Sequence, residues 1–128
     1  MPSITAIYAA LLGLMSVAVA FPAGSLRGKL NISIGDGGNH DLLLAMRRHA
    51  NFVEWVPLAL IVIALLEMNG VTKVAIHSLG AALVIARAAH AIGIKKDTMK
   101  NVGRFIGAAG TALIMIVSSV WLLVRVLS

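Results

Sequence analysis

The sequence predicts an all-α integral membrane protein, a four-helix bundle in which each helix is long enough to span a bilayer. Three observations predict it. Four apolar stretches of membrane-crossing length follow one another within 128 residues. Hydrophobic residues make up 59% of the chain and charged ones only 12%, with a mean hydropathy of +0.95, whereas soluble domains carry about 25% charged residues. The interruptions are short and rich in glycine, asparagine and basic side chains, which is turn chemistry rather than a further folded unit. A single domain over 1–128 is therefore expected.

The first helix is expected over about 4–23, a run of 20 residues without a charge, enough to cross a hydrocarbon core of about 30 Å. Ala18-Val19-Ala20 has the small residues of a signal-peptide cleavage site. Met1 to Thr5, however, lack the Lys or Arg of a leader's positive region, so an uncleaved helix is expected. Gly24 to His40 reads as a polar connection, with Gly35-Asp36-Gly37-Gly38 as a turn. It has neither the lysine nor the spacing of a phosphate loop. The second helix is expected over 41–68, with Asp41 capping its start and Asn69-Gly70 closing it. Pro57, which lacks an N–H, predicts a kink in it. The third helix is expected over 71–94. A short basic loop then leads to a fourth over 103–124, where Gly103, Gly107 and Gly110 allow close helix packing.

Charge sets the expected orientation. Loops one and three and the helix ends beside them hold Arg27, Lys29, Arg47, Arg48, Lys95, Lys96, Lys100 and Arg104, against Lys73 and Arg125 on the other side. The positive-inside rule places those loops in the cytoplasm and both termini outside. The net charge of +6 belongs beside anionic lipid head groups rather than nucleic acid in a chain this apolar. The absence of cysteine excludes disulfides, thiolate metal sites and a cysteine nucleophile. The four histidines show no metal-ligand spacing with acids, and the six methionines read as packing.

The candidate site lies at the start of the second helix. Ionisable groups at membrane depth are rare and usually face a protein interior or a watery cavity. At about 100° per residue, Arg47, Asn51 (about 40°) and Glu54 (about 340°) share one face, Arg48 and Trp55 flank it, and His49 points away. In the third helix Arg87 and His90 share a face, with Ile94 one turn on. Two readings of these residues stand side by side. Arg47 or Arg87 pairs with Glu54 in a structural network with Asn51 as hydrogen-bonding glue. Alternatively, three arginines (Arg47, Arg87 and Arg104) facing one acid mark an anionic ligand with carboxylates or phosphates.

The pattern Arg-x-His-x-Asn-x-x-Glu-x-x-Pro, here Arg47, His49, Asn51, Glu54 and Pro57, resembles the signature of the MAPEG superfamily, membrane-associated proteins in eicosanoid and glutathione metabolism. Arg87-Ala88-Ala89-His90-Ala91-Ile92-Gly93 resembles the family's helix-three segment. Arg27 and Arg104 resemble arginines at the end of its first helix and the start of its fourth. The short loops are similar to those of its small bacterial branch. The resemblance implies a homotrimer in a bacterial inner membrane, with glutathione as co-substrate bound between subunits on the cytoplasmic side. It implies glutathione-binding roles for Arg27, Arg47, Asn51, Glu54, Trp55, Arg87 and His90, and for Arg104 a catalytic role as the cation that stabilises the thiolate. The implied activity is that of a transferase or peroxidase acting on lipophilic small molecules that arrive through membrane lipid. Where many members carry tyrosines this chain has His90 and Ile94, and Trp55 stands where an aromatic hydroxyl often sits. A non-enzymatic lipid-binding protein of the same fold is the alternative. A proton-coupled exporter, the third reading, expects an acid in the first helix, and 4–23 has none.

Overall fold

A computed structural model describes residues 1–94 and 101–128. It contains four helices: α1 (Ser3–Leu30), α2 (His40–Met68), α3 (Lys73–Gly93) and α4 (Val102–Leu127). They are 28, 29, 21 and 26 residues long, and each is apolar enough to cross a membrane. Among the described residues there is no strand. The loop-three lysines Lys95, Lys96 and Lys100 lie outside the described residues.

Helix α1 runs past the expected end at 23 to Leu30, so Arg27 and Lys29 belong to its last turn rather than to a polar loop. Basic side chains there complement the negative end of the helix dipole. The helix stops at Asn31, whose φ of 53° is left-handed, and the N–H groups of Asn31 and Ile32 both donate to the Arg27 carbonyl. Asparagine tolerates this conformation better than most residues. The following turn forms as expected, with the Gly38 N–H donating to Asp36 Oδ1 at 2.9 Å.

The start of α2 differs from expectation. Asn39, not Asp41, is the cap, its Oδ1 accepting from the Leu42 N–H at 3.0 Å. Asp41 instead sits in the first helical turn, where a carboxylate favours the positive end of the dipole. The helix runs on through Pro57 and closes at Asn69-Gly70, Gly70 having a φ of +74°.

The helices pack mainly in pairs, α1 on α2 and α3 on α4. Leu12, Phe52, Ile63, Ile76, Leu83 and Ile114 join a buried cluster that all four contribute to. Leu14, Phe21, Ile85 and Phe105 point outward, as lipid-facing residues do in a membrane bundle. The α3–α4 approach depends on Gly107. A Cβ there would lie 2.5 Å from His90 Cβ and 2.6 Å from the Ala86 carbonyl oxygen, closer than packed atoms come. This tight approach positions the site.

At the end of the bundle where α1 begins and α2 closes, Glu67 ties the two helices together. Its carboxylate accepts from the Ile4 and Thr5 N–H groups, both at 2.8 Å, and from the Thr5 hydroxyl at 2.6 Å. Nearby, Tyr8 Oη and His77 Nδ1 are 2.9 Å apart and share a hydrogen bond between α1 and α3.

Candidate functional site

At the opposite end, α2, α3 and the start of α4 enclose a cavity of about 140 Å³ lined by Leu44, Arg47, Asn51, His90, Ile94 and Arg104. Leu44, Arg47 and Asn51 are three and four residues apart and therefore follow one stripe of α2. His90 and Ile94 come from adjacent turns at the end of α3. Arg104 lies in the first turn of α4, which is capped by Asn101. That residue's Oδ1 accepts from the Gly103 N–H at 2.9 Å and the Arg104 N–H at 3.3 Å. Gly107 lets α4 close on His90, which brings the Arg104 turn to the same cavity.

The charges here are of one sign. Arg47 and Arg104 are exposed, and among the described residues neither side chain has a hydrogen-bond or ion-pair partner. Arg87 is only 2% exposed and stands behind the wall. Its Nη1 donates to Asn51 Oδ1 at 2.8 Å and its Nη2 to the Gly107 carbonyl at 3.0 Å. That carbonyl also accepts the Thr111 hydroxyl at 2.7 Å. Arg87 Nε is buried and has no partner among the described residues. The pairing of Arg47 or Arg87 with Glu54, the structural alternative read from the sequence, does not form among the described residues. Arg87 takes an amide and a carbonyl oxygen instead.

The family model of the MAPEG family matches residues 5–124. The chain belongs to the MAPEG family. It is also similar to the inner membrane protein YecN of Escherichia coli K12, with 30% identity over 119 residues that cover 92% of this chain and 91% of that protein. The YecN protein of E. coli O6:H1 strain CFT073 matches to the same extent. No solved structure matches significantly.

The fold of this MAPEG chain brings Arg47, Asn51, His90 and Arg104 to one cavity, with Arg87 bracing Asn51. Three other residues singled out in the sequence lie outside it. Arg27 donates from Nη1 to the Ser33 carbonyl at 3.1 Å and from Nη2 to Met46 Sδ at 3.3 Å, fastening loop one to α2. Glu54 is exposed on α2 and Trp55 is half-buried, and neither lines the cavity. Among the described residues no three His, Asp or Glu side chains are grouped as metal ligands would be.

Sequence reasoning missed Arg48. Its Nε donates to the Ile94 carbonyl at 2.9 Å, and its Nη2 donates to the same oxygen. A guanidinium thereby caps the negative end of α3 and holds Ile94 at the cavity edge. Its position on the flank of α2, next to Arg47, was the available signal, but the partner is a backbone oxygen that no side-chain pattern marks. Leu44 was also legible, one turn before Arg47 on the same stripe.

Proposed function

We propose that this MAPEG protein is an integral inner-membrane enzyme that binds glutathione at the arginine-lined cavity and turns its thiolate on lipophilic electrophiles, by conjugation or by hydroperoxide reduction. The observation that carries the reading is the pair of guanidiniums, Arg47 from α2 and Arg104 from α4, that face one cavity beside Asn51 with no acid among its lining residues. Such a surplus favours an anionic ligand, because Arg pairs with carboxylates through parallel N–H donors and a nearby cation favours a thiolate over a thiol. Family membership and the inner membrane location in the YecN name support the setting. The charge count at loops one and three supports a cytoplasmic position for the site.

The cavity in one protomer is about 140 Å³, below the roughly 300–1,000 Å³ of ordinary ligand sites. A neighbouring copy completes it in the homotrimer proposed here. Arg27, Glu54 and Trp55, which the protomer leaves outside its own cavity, are then available to a neighbour's ligand, with Glu54 matched to the glutathione ammonium. Arg47 holds a glutathione carboxylate. Arg104 and the first-turn N–H groups of α4 present positive charge. They lower the pKa of the bound thiol from its free value of about 8.5, and its proton passes to water. In conjugation the thiolate sulfur forms the new bond to carbon while the leaving group departs with the bonding pair. In peroxide reduction the thiolate sulfur attacks the terminal peroxide oxygen and the O–O bond breaks, releasing an alkoxide that takes a proton to become the alcohol; the resulting sulfenic acid is attacked by a second glutathione thiol, forming the disulfide and releasing water.

Thiolate absorbance on adding glutathione to the purified protein in detergent tests binding and activation together. The expected result is a saturable rise in absorbance near neutral pH. No rise and no binding would sink the reading. One observation favours a second reading. An apolar groove of about 240 Å³, lined by Leu12, Gly13, Phe52, Val56 and Pro57 among others, opens between α1 and α2. Under that reading the protein binds lipid without thiol chemistry, and mass spectrometry finds a stoichiometric co-purified lipid in a protein that ignores glutathione.

A further inference from the structure

We infer that Arg87 is a positioning residue that turns the Asn51 side chain so that its donor end faces the cavity, which selects a ligand carrying an oxygen acceptor at that wall. The identity of the ligand rests on the glutathione reading; the chemistry of the wall does not.

An asparagine amide has two unlike ends, an oxygen that accepts and a nitrogen that donates, exchanged by a half-turn. What faces it decides which end points where. Arg87 has five N–H donors and no acceptor. Only the oxygen of Asn51 forms a bond with it, and Oδ1 does so at 2.8 Å. Arg87 does not swing aside. It is 2% exposed, and its second arm is held by the Gly107 carbonyl at 3.0 Å, in the turn where α4 is pressed against Ala86 and His90. A flipped amide would set donor against donor beside a buried charge and leave both unsatisfied, which buried groups avoid. The Asn51 nitrogen is therefore left for the cavity that Asn51 lines with Arg47 and Arg104. The wall then carries the guanidiniums of Arg47 and Arg104 and the Asn51 nitrogen as donors, with the His90 imidazole beside them and no carboxylate. A carboxylate or peptide carbonyl fits opposite Asn51; an ammonium or a peptide N–H does not. In glutathione terms, Asn51 takes an oxygen.

The test is equilibrium binding of glutathione, and separately of inorganic phosphate, to the full-length protein in detergent. Asn51→Asp keeps an acceptor for Arg87 and so keeps the fold, but it replaces the cavity's donor with a second acceptor. The expected result is an unchanged or higher melting temperature with affinity lowered about tenfold to a hundredfold. If the wild type binds phosphate but not glutathione and Asn51→Asp weakens it, the donor wall stands and the glutathione reading falls. Asn51→Asp binding as tightly as the wild type overturns the inference, and a wild type that binds neither anion overturns both. Arg87→Met, which cannot orient the amide, should lose affinity, and Arg87→Lys should recover most of it. A folded Arg87→Met with wild-type affinity also overturns the positioning role. Should Arg87→Met fail to fold, the side-chain amide resonance of Asn51 in the wild type decides. It should shift on adding the anion, and an unmoved resonance overturns the inference.

Discussion

At the end of the bundle where α1 begins, one carboxylate, Glu67, meets two backbone N–H groups and a hydroxyl. At the other end five arginines gather, and the chain supplies acceptors for three of them. Arg27 has loop-one carbonyls, Arg48 has the Ile94 carbonyl, and Arg87 has Asn51 and Gly107. Arg47 and Arg104 have none among the described residues and face the same cavity. The first end uses polar groups to join helices and consumes them in doing so. The second holds charge in reserve. Because unpaired ionic groups near a membrane are costly to keep, the reserve points to a ligand, whereas Glu67 points to assembly.

The comparison breaks first, and by the largest effect, at Gly107. Gly107→Ala should cost about 1–3 kcal/mol or more by overpacking. It should also weaken glutathione binding, because the displaced turn carries an Arg87 acceptor and the route to Arg104. Thermal melting and binding run on the same sample check both losses; normal values for both would show that the close approach is dispensable. Arg47→Ala should lower glutathione affinity by about 1.5–3 kcal/mol, roughly tenfold to a hundredfold, with melting unchanged. Destabilisation without loss of affinity would move Arg47 into the structural class. Glu67→Ala should do the reverse. Losing the acceptor for the Ile4 and Thr5 N–H groups costs about 1–3 kcal/mol of stability and leaves binding alone, as titration of the folded variant would show. Arg104→Ala should move neither quantity much and act on the thiol instead. Binding should stay near wild type while the bound thiol's pKa rises and turnover falls, read from thiolate absorbance against pH. An unchanged titration would leave Arg104 as a lipid-facing anchor and strengthen the lipid-binding reading.

Hydropathy made the four helices legible, because a membrane span must be long and nearly free of charge and little else in a chain meets that demand. Helix ends were less legible. A helix such as α1 continues until a residue like Asn31 turns it, so the loss of hydrophobicity at Gly24 did not mark the end of the helix. The stripe of Arg47 and Asn51 followed from periodicity within one helix. Asn51 was legible as hydrogen-bonding glue between helices, but that Arg87 would bond it rather than Glu54 was not, because the choice depends on how α3 is rotated against α2, and Gly107 sets the packing of α3 on α4. Glu67 was missed for a similar reason. It sits in the apolar run Leu65-Leu66-Glu67-Met68, and its partners are largely backbone groups of another helix, which leave no trace in side-chain pattern.

The clasp between Glu67 and Thr5 spans 62 residues of chain, and this has a consequence for biosynthesis. Translation proceeds at about 5–20 residues per second, so roughly 3 to 12 seconds separate the synthesis of Thr5 from that of Glu67. Throughout that interval the Ile4 and Thr5 N–H groups lack the carboxylate that they bond in the finished fold. The start of α1 therefore gains this tie to α2 only once the second helix is made almost to its end.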